Sequence, residues 1–456
     1  MIVILPPSRF AGFWPDDDAS LTHMRAVMGD RAFRLLWWSL TASVAADSIF
    51  PIAVVISLVR GGYGASAIGF VLAGRLIALV GFALLGGVWA DRLPRRVVMA
   101  CSQLGLVAVA ATVAVWPHAL LMGVAVFVGG LCEAFFRPAL QGMLATLLNA
   151  RQRRTGIAMT SVSLRAGSLL GAFLGALLAV VWEPWTAFVA AAAGFGASAV
   201  LIWLMRERVL PAQPRRALMV ELRQGFREVG SRPWMSAVIA VLALHQTLIV
   251  APAQVLLPAT ASHHDWNFLP LHEGDAVYGL SLAALSLGGL VGALLAALHR
   301  GNRPGLTAMI GLLPYGLVPL SLLAATTPWP VFACFLLAGV GLEIAAIEWI
   351  IGMLRAVPPE RQARVASLEW VAVLGPTPFG LVATGLLADA HGSEPVLVAG
   401  AAAAVLPLLA LLVPGLPGFR SGCGGSCGTN ATESDHAGPG SGNRTSPCRT
   451  DARRAN

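Results

Sequence analysis

Asp47, Arg75, Glu133, Arg137, Arg165, His245, Glu343, Glu348 and Glu369 interrupt stretches of this sequence that are otherwise almost wholly apolar. An ionisable side chain in hydrocarbon costs about 3 kcal/mol or more unless it faces a partner or a wet cavity. Burial pushes a carboxyl group toward taking up its proton, so carboxylates in such places suit proton binding and release. Guanidiniums beside them can neutralise that charge or hold an anionic group.

Asp47 is the sharpest candidate for proton or substrate coupling, since it lies near the middle of an apolar run with no basic residue within one helical turn. The alternative is a permanent partner across a helix interface, with Arg75 or Arg165 as the candidates. Glu133 and Arg137 are four apart and share one helical face, so an ion pair is available there. Structural neutralisation and a role in a cavity both stay open for that pair. Glu343 and Glu369 complete the coupling set with Arg75 and Arg165, while Glu348 and Glu369 could lie near the ends of their runs and be solvated.

The elements that must position these residues follow from composition. The chain has 456 residues, 57% of them hydrophobic and 12% charged, and a mean hydropathy of +0.74. Such a chain cannot cover a water-exposed surface, and its backbone must be bonded internally in lipid. The alternating ten-residue segments of a membrane barrel are lacking, so the spans are helices. Runs of about twenty apolar residues predict helices near 33–58, 66–89, 97–116, 118–140, 157–181, 184–205, 234–258, 275–298, 304–325, 328–353, 365–388 and 394–415. The reading is an all-α integral membrane protein of twelve transmembrane helices in two six-helix bundles, 33–205 and 234–415. A segment 1–32, a linker 206–233 and a tail 416–456 complete the domain plan.

There is no lysine, so arginine alone sets the orientation. Arginines gather at 90–96, 151–154, 206–232, 300–303 and 355–364 and at both ends of the chain, whereas the connections on the other side carry Arg60 alone. Both termini are therefore expected in the cytoplasm of a multi-pass plasma-membrane protein. The apolar start 1–7 is too short to read as a cleaved leader. Within the linker, Leu218, Leu222, Phe226 and Val229 recur at helical spacing opposite charged residues, which predicts an interfacial amphipathic strap. The tail turns to Gly, Ser, Asn, Thr and Arg and is expected to be disordered. Cys423, Cys427 and Cys448 in the tail read as incidental, and no metal site is expected.

Residues 87–96 hold Gly87, Asp91, Arg92, Arg95 and Arg96 between the second and third runs, with Pro94 among them. This G-x-x-x-D-R-x-x-R-R pattern resembles the signature loop of the major facilitator superfamily of secondary transporters. The resemblance implies a cytoplasmic gate between the two halves, with Asp91 placed to engage the end of helix eleven where Arg364 begins the span. Residues 133–139, 221–225, 357–367, Pro378, Gly380 and Gly385 look like the branch containing the enterobactin exporter and macrolide efflux carriers. Drug antiporters of the family often carry Gly-Pro in helix five, where this chain has Gly171-Ala172. Gly167, Gly171 and Gly175 are four apart, a spacing of small residues that lets helix backbones pack closely.

The expectation is a secondary transporter that exports a small amphipathic compound, such as a drug, siderophore or secondary metabolite, by alternating access coupled to protons. Trp37, Trp38, Phe50, Phe135, Phe136 and Trp370 are candidate apolar walls of its cavity. No nucleotide-binding motif is present, so no ATP or other cofactor is implied. The expected partners are the substrate, protons and the bilayer, with no nucleic acid, and the carrier is read as a monomer. A transporter-derived sensor or scaffold is the alternative. A membrane enzyme built on His263, His264, Asp265 and His272 is the weaker one.

Overall fold

The computed structural model describes residues 27–148, 152–206, 225–264, 266, 273–298, 303–324 and 326–419, though not the side chains of 84–92, 145, 153, 154, 158, 263, 297, 359, 360 and 363. Among them are twelve helices long and apolar enough to cross a membrane. The first six are α1 (Arg31–Arg60), α2 (Ala65–Arg92), α3 (Arg95–Val115), α4 (Ala119–Leu147), α5 (Arg153–Val181) and α6 (Pro184–Trp203). The second six are α7 (Pro233–Ser262), α8 (Glu273–Leu298), α9 (Pro304–Ala324), α10 (Pro328–Ala356), α11 (Arg364–His391) and α12 (Ser393–Ala410). Before α7, residues 225–230 are helical, and they form the described end of the strap. The tail from 420 onward and the strap residues 207–224 lie outside the described residues.

Local sequence explains the ends. Asp30 caps α1 by accepting from the Ala32 amide at 2.8 Å. Prolines open α6, α7, α9 and α10, where their missing N–H would have had no helical partner. The tight reversal from α11 to α12 turns on Gly392 at φ 86°, a conformation that L side chains resist. Two spans change pitch midway. In α7 the stretch Gln246–Val250 is a π-helix just before Pro252, which has no N–H to give the Leu248 carbonyl. In α9 Pro314 sits in a 3₁₀ stretch, Leu313–Gly316.

The end of α2 differs from the sequence reading. Nothing interrupts α2 until Leu93 and Pro94, and the residue before a proline is driven out of the helical region. The helix therefore runs through Arg92, and Gly87, Asp91 and Arg92 belong to its last turns instead of to a loop.

Packing divides the molecule by depth. In the first half α1 lies against α5 and α6, and α4 against α2 and α3. In the second, α10 lies against α8 and α9. The halves meet where α2 packs on α11 and α5 on α8. Away from the strap, one buried core draws on both halves, from Ala46–Leu58 of α1 and Ile68 of α2 to Leu256 of α7, Val277 of α8 and Leu381 of α11. Toward the strap there are two separate cores. One holds Phe33, Leu36, Met99, Met143 and Ile202 of the first half, and the other Trp234, Met309, Trp349 and Leu368 of the second. Among the described residues the halves thus share one core at one end and have separate cores toward the strap end.

Candidate transport site

Three helices of the first half bring their charges together at mid-span. Arg75 of α2 reaches with one guanidinium nitrogen to Asp47 of α1 and to Glu133 of α4, the latter at 3.1 Å. The other Glu133 oxygen accepts from Arg137 Nε at 2.8 Å and also pairs with its Nη2. Two carboxylates and two guanidiniums leave this group neutral as drawn. It is graded by exposure: the Glu133 side chain is 12% accessible, while those of Asp47 and Arg137 are 39% and 50% accessible. A buried carboxylate is thus flanked by more accessible charges.

Glycine lets these helices come close enough. A Cβ on Gly130 of α4 would run into the Arg75 carbonyl, so only glycine permits α4 to lie on α2 at that level. On α5, Gly167, Gly171 and Gly175 face α1: their Cβ positions would meet Thr41 and Val44, then Ala45 and Ser48, then Ile49. That row seats α1 on either side of Asp47.

A second charge pair crosses between the halves. Arg165 of α5 is ion-paired with Glu343 Oε2 of α10, and the Glu343 side chain is 6% accessible. Its other oxygen is buried and has no hydrogen-bond partner among the described residues. Gly288 and Gly292 of α8 admit the α10 backbone, and Gly289 lies 3.5 Å by its Cβ position from Arg165 Nη1. Small residues on α8 thus leave space for the Arg165 head group.

Glu348 and Glu369 are both buried, which corrects the expectation of solvated ends; the strap-end core of the second half covers them. Glu369 Oε2 and the Trp349 indole N–H are both buried beside one another. His245 is buried edge-on against Tyr315. The expected aromatic walls also need correction. Phe50 packs on Phe188, and Phe136 lies in the strap-end core, because their helix faces point into the first half. The Trp37 indole donates to the Met159 carbonyl at 2.8 Å.

The side chains of Asp91 and Arg92 lie outside the described residues. Arg95 donates to the Gly142 carbonyl, and Arg96 donates to the Met205 carbonyl and stacks over Trp203. Both contacts tie the start of α3 to the ends of α4 and α6 within the first half. The Arg364 backbone instead lies under Gly225 of the strap. Asp265 and His272 of the weak enzyme alternative also fall outside the described residues, and the His264 ring stacks on Trp266.

Sequence reasoning missed the charges at the end away from the strap. Arg60 Nε donates to Asp275 of α8 at 2.7 Å, and the same guanidinium reaches Glu183 and the Ala179 carbonyl. Its being the lone arginine on that side was the available signal.

Residues 36–372 match the Major Facilitator Superfamily profile. The chain belongs to that superfamily. The carrier is 27% identical over 361 residues to the multidrug efflux pump Tap of Mycolicibacterium fortuitum, covering 74% of this chain and 86% of Tap. It is 23% identical to the uncharacterized MFS-type transporter YceJ of Bacillus subtilis, over 67% of this chain and 76% of YceJ. The match to the multidrug resistance protein MdtH of Salmonella paratyphi C, at 25% identity, spans 46% of this chain and half of that protein. Among solved structures, a POT family transporter in complex with 5-aminolevulinic acid superposes with a TM-score of 0.67 at 13% identity, covering 85% of this chain and 96% of that one. The nucleoside transporter NupG gives 0.66 at 12% identity, covering 84% and 99%. The carrier is therefore a membrane transporter, not an enzyme, and it shares its fold with solute carriers.

Proposed function

We propose that the carrier exports a small amphipathic compound from the cytoplasm in exchange for protons, by alternating access and as a monomer of the plasma membrane. The observation that carries this reading is the Asp47–Arg75–Glu133–Arg137 group at mid-span. One guanidinium serves two carboxylates, so protonating the more accessible one, Asp47, frees Arg75 to bind Glu133 alone. Deprotonation restores the shared arrangement. Such a group has two arrangements of similar energy, and a proton selects between them.

Orientation follows from the arginine-rich connections, which place the strap end and both termini in the cytoplasm. The two separate strap-end cores then face the cytoplasm, and in this reading the compound to be exported is collected between them. The multidrug efflux pump and the multidrug resistance protein among the relatives support export of drug-like compounds. The Arg165–Glu343 pair adds a contact between halves, one that substrate or proton arriving at Glu343 would release. Gly87, Asp91, Arg92, Arg95, Arg96 and Arg364 gather near the strap end and form the inner gate in this reading.

Purified carrier reconstituted in vesicles with a pH gradient tests it, with ethidium as the probe cation. Gradient-driven ethidium movement against its concentration, with counterflow of protons, is the expected result. Movement indifferent to the gradient overturns the coupling, and movement only toward the strap side overturns the direction.

A further inference from the structure

We infer that Asp389 of α11 closes the side of the carrier away from the strap by capping, from the opposite half, the start of α2. The first N–H groups of a helix have no partner within it. At the start of α2 the residue that should cap them is Gly64, which has no side chain to do so. Asp389 supplies the acceptors instead: Oδ1 takes the Ala65 amide at 2.9 Å and Oδ2 the Ser66 amide at 3.1 Å. A carboxylate at this position also meets the positive end of the helix dipole.

The missing side chain is what admits the visitor. A Cβ on Gly64 would stand 2.8 Å from Asp389 Oδ2. Below this contact α2 and α11 are held together by two further glycines. Gly385 lies on the backbone of Ala65 and Ser66, and Gly69 lies on the Leu381 carbonyl. At these two points the helices approach backbone to backbone. Arg60, bound to Asp275 of the other half, closes the same end between α1 and α8. Above the capped helix lies a cavity of about 590 Å³ lined by Tyr63, Gly64, Ser262, His264, Asp389 and Ser393 among others. Water from that cavity can take over the Ala65 and Ser66 amides once Asp389 leaves, so the contact is strong enough to hold and weak enough to break.

The inference rests on alternating access alone, not on the coupling ion or the direction of transport. Nitroxide labels at His118 and Thr326, exposed positions in opposite halves at this end, read its opening by pulsed electron resonance in protein whose native cysteines are replaced. Asp389→Asn removes the charge, and Gly64→Ala pushes the carboxylate off the amides while adding one methyl at an exposed site. In each variant the long-distance population should grow by roughly fivefold, as loss of a helix cap implies. Asp389→Glu should recover part of the short distance. An unchanged distribution in a folded variant of either kind overturns the inference. Loss of proton-driven flux with the expected distance shift would fault the proposed coupling and leave this gate standing.

Discussion

Arg165 and Glu343 are ion-paired across the two halves of the carrier at the middle of the membrane, with Glu343 nearly enclosed and a third of Arg165 accessible. The halves share a core beyond this pair and have their own cores before it. The contact thus lies where the shared core gives way to separate ones, and any rocking of one half on the other must pass through it. A buried pair adds little net stability compared with apolar residues of the same size, but removing one partner strands the other. It suits a contact that must specify one arrangement and then be released.

Glu343→Gln should lower the thermal midpoint of the purified carrier by an amount corresponding to about 1–3 kcal/mol. This is below the value for a fully enclosed pair, because Arg165 keeps 33% of its side chain accessible. The Arg165→Gln, Glu343→Gln double variant should regain most of that loss, since neither charge is then stranded. Additive losses in the double variant would show that the two side chains are not coupled. Turnover should be slow in both variants.

Asp47→Asn keeps the shape of the side chain but removes the titratable proton. With Arg75 still able to bind Glu133, the protein should insert and fold, while gradient-driven flux falls by roughly a hundredfold and gradient-independent exchange persists. The check is flux measured with and without the gradient in the same vesicles. Unchanged dependence on the gradient moves the proton site elsewhere, with Glu343 the next residue to replace.

The spans were legible because each is an apolar run of membrane length, and a Glu133–Arg137 pair could be read from a separation of four on one helix. Partners on different helices could not. Arg75 of α2 serves Asp47 although α1 lies chiefly against α5, because the α5 arginine sits nearer the strap, two residues past Ser163, which is beside Thr41. Arg165 turned instead to Glu343 in the other half, a pairing that no local period encodes. Nothing in the sequence singles out Asp389, since its role depends on the bare start of α2, more than three hundred residues earlier. Phe50 and Phe136 were misplaced for a related reason. Apolarity shows that a residue leaves water but does not say whether it faces a core, lipid or a cavity.

Gly171→Val should damage folding more than any substitution among the accessible charges. A Cβ at this position already meets the Ala45 carbonyl and comes within 2.8 Å of Ser48 Cβ. Those are backbone and near-backbone atoms of α1, which cannot swing aside, so α1 and α5 must separate and Asp47 shifts with α1. Reduced yield of membrane-inserted protein and a lower thermal midpoint are expected. Gly230→Val, at a glycine with nothing within 4 Å of its Cβ position, serves as the control. Equal loss in both would mean that the effect is one of glycine replacement in general.

Glu228, at the described end of the strap, gives a dependence on acidity at the strap side of the membrane. Burial would raise its carboxyl pKa, but hydrogen bonds and charges from Arg232 at 2.6 Å and Arg361 at 2.8 Å outweigh it and hold the group below the usual range. A carboxylate depressed by folding stabilises the folded arrangement above its ordinary pKa, and the stabilisation is lost as the pH falls through the depressed value. Arg361 precedes α11, so this contact fastens the strap to the second half. Amide exchange in 225–230 should therefore be slow and level at neutral pH, after correction for the intrinsic rate. Protection should begin to fall below about pH 4, where an unperturbed glutamate protonates. Glu228→Gln should show the weaker protection at every pH, with no step on acidification. A step that persists in that variant would assign the titration to another group, and protection that strengthens on acidification would reverse the sign of the argument.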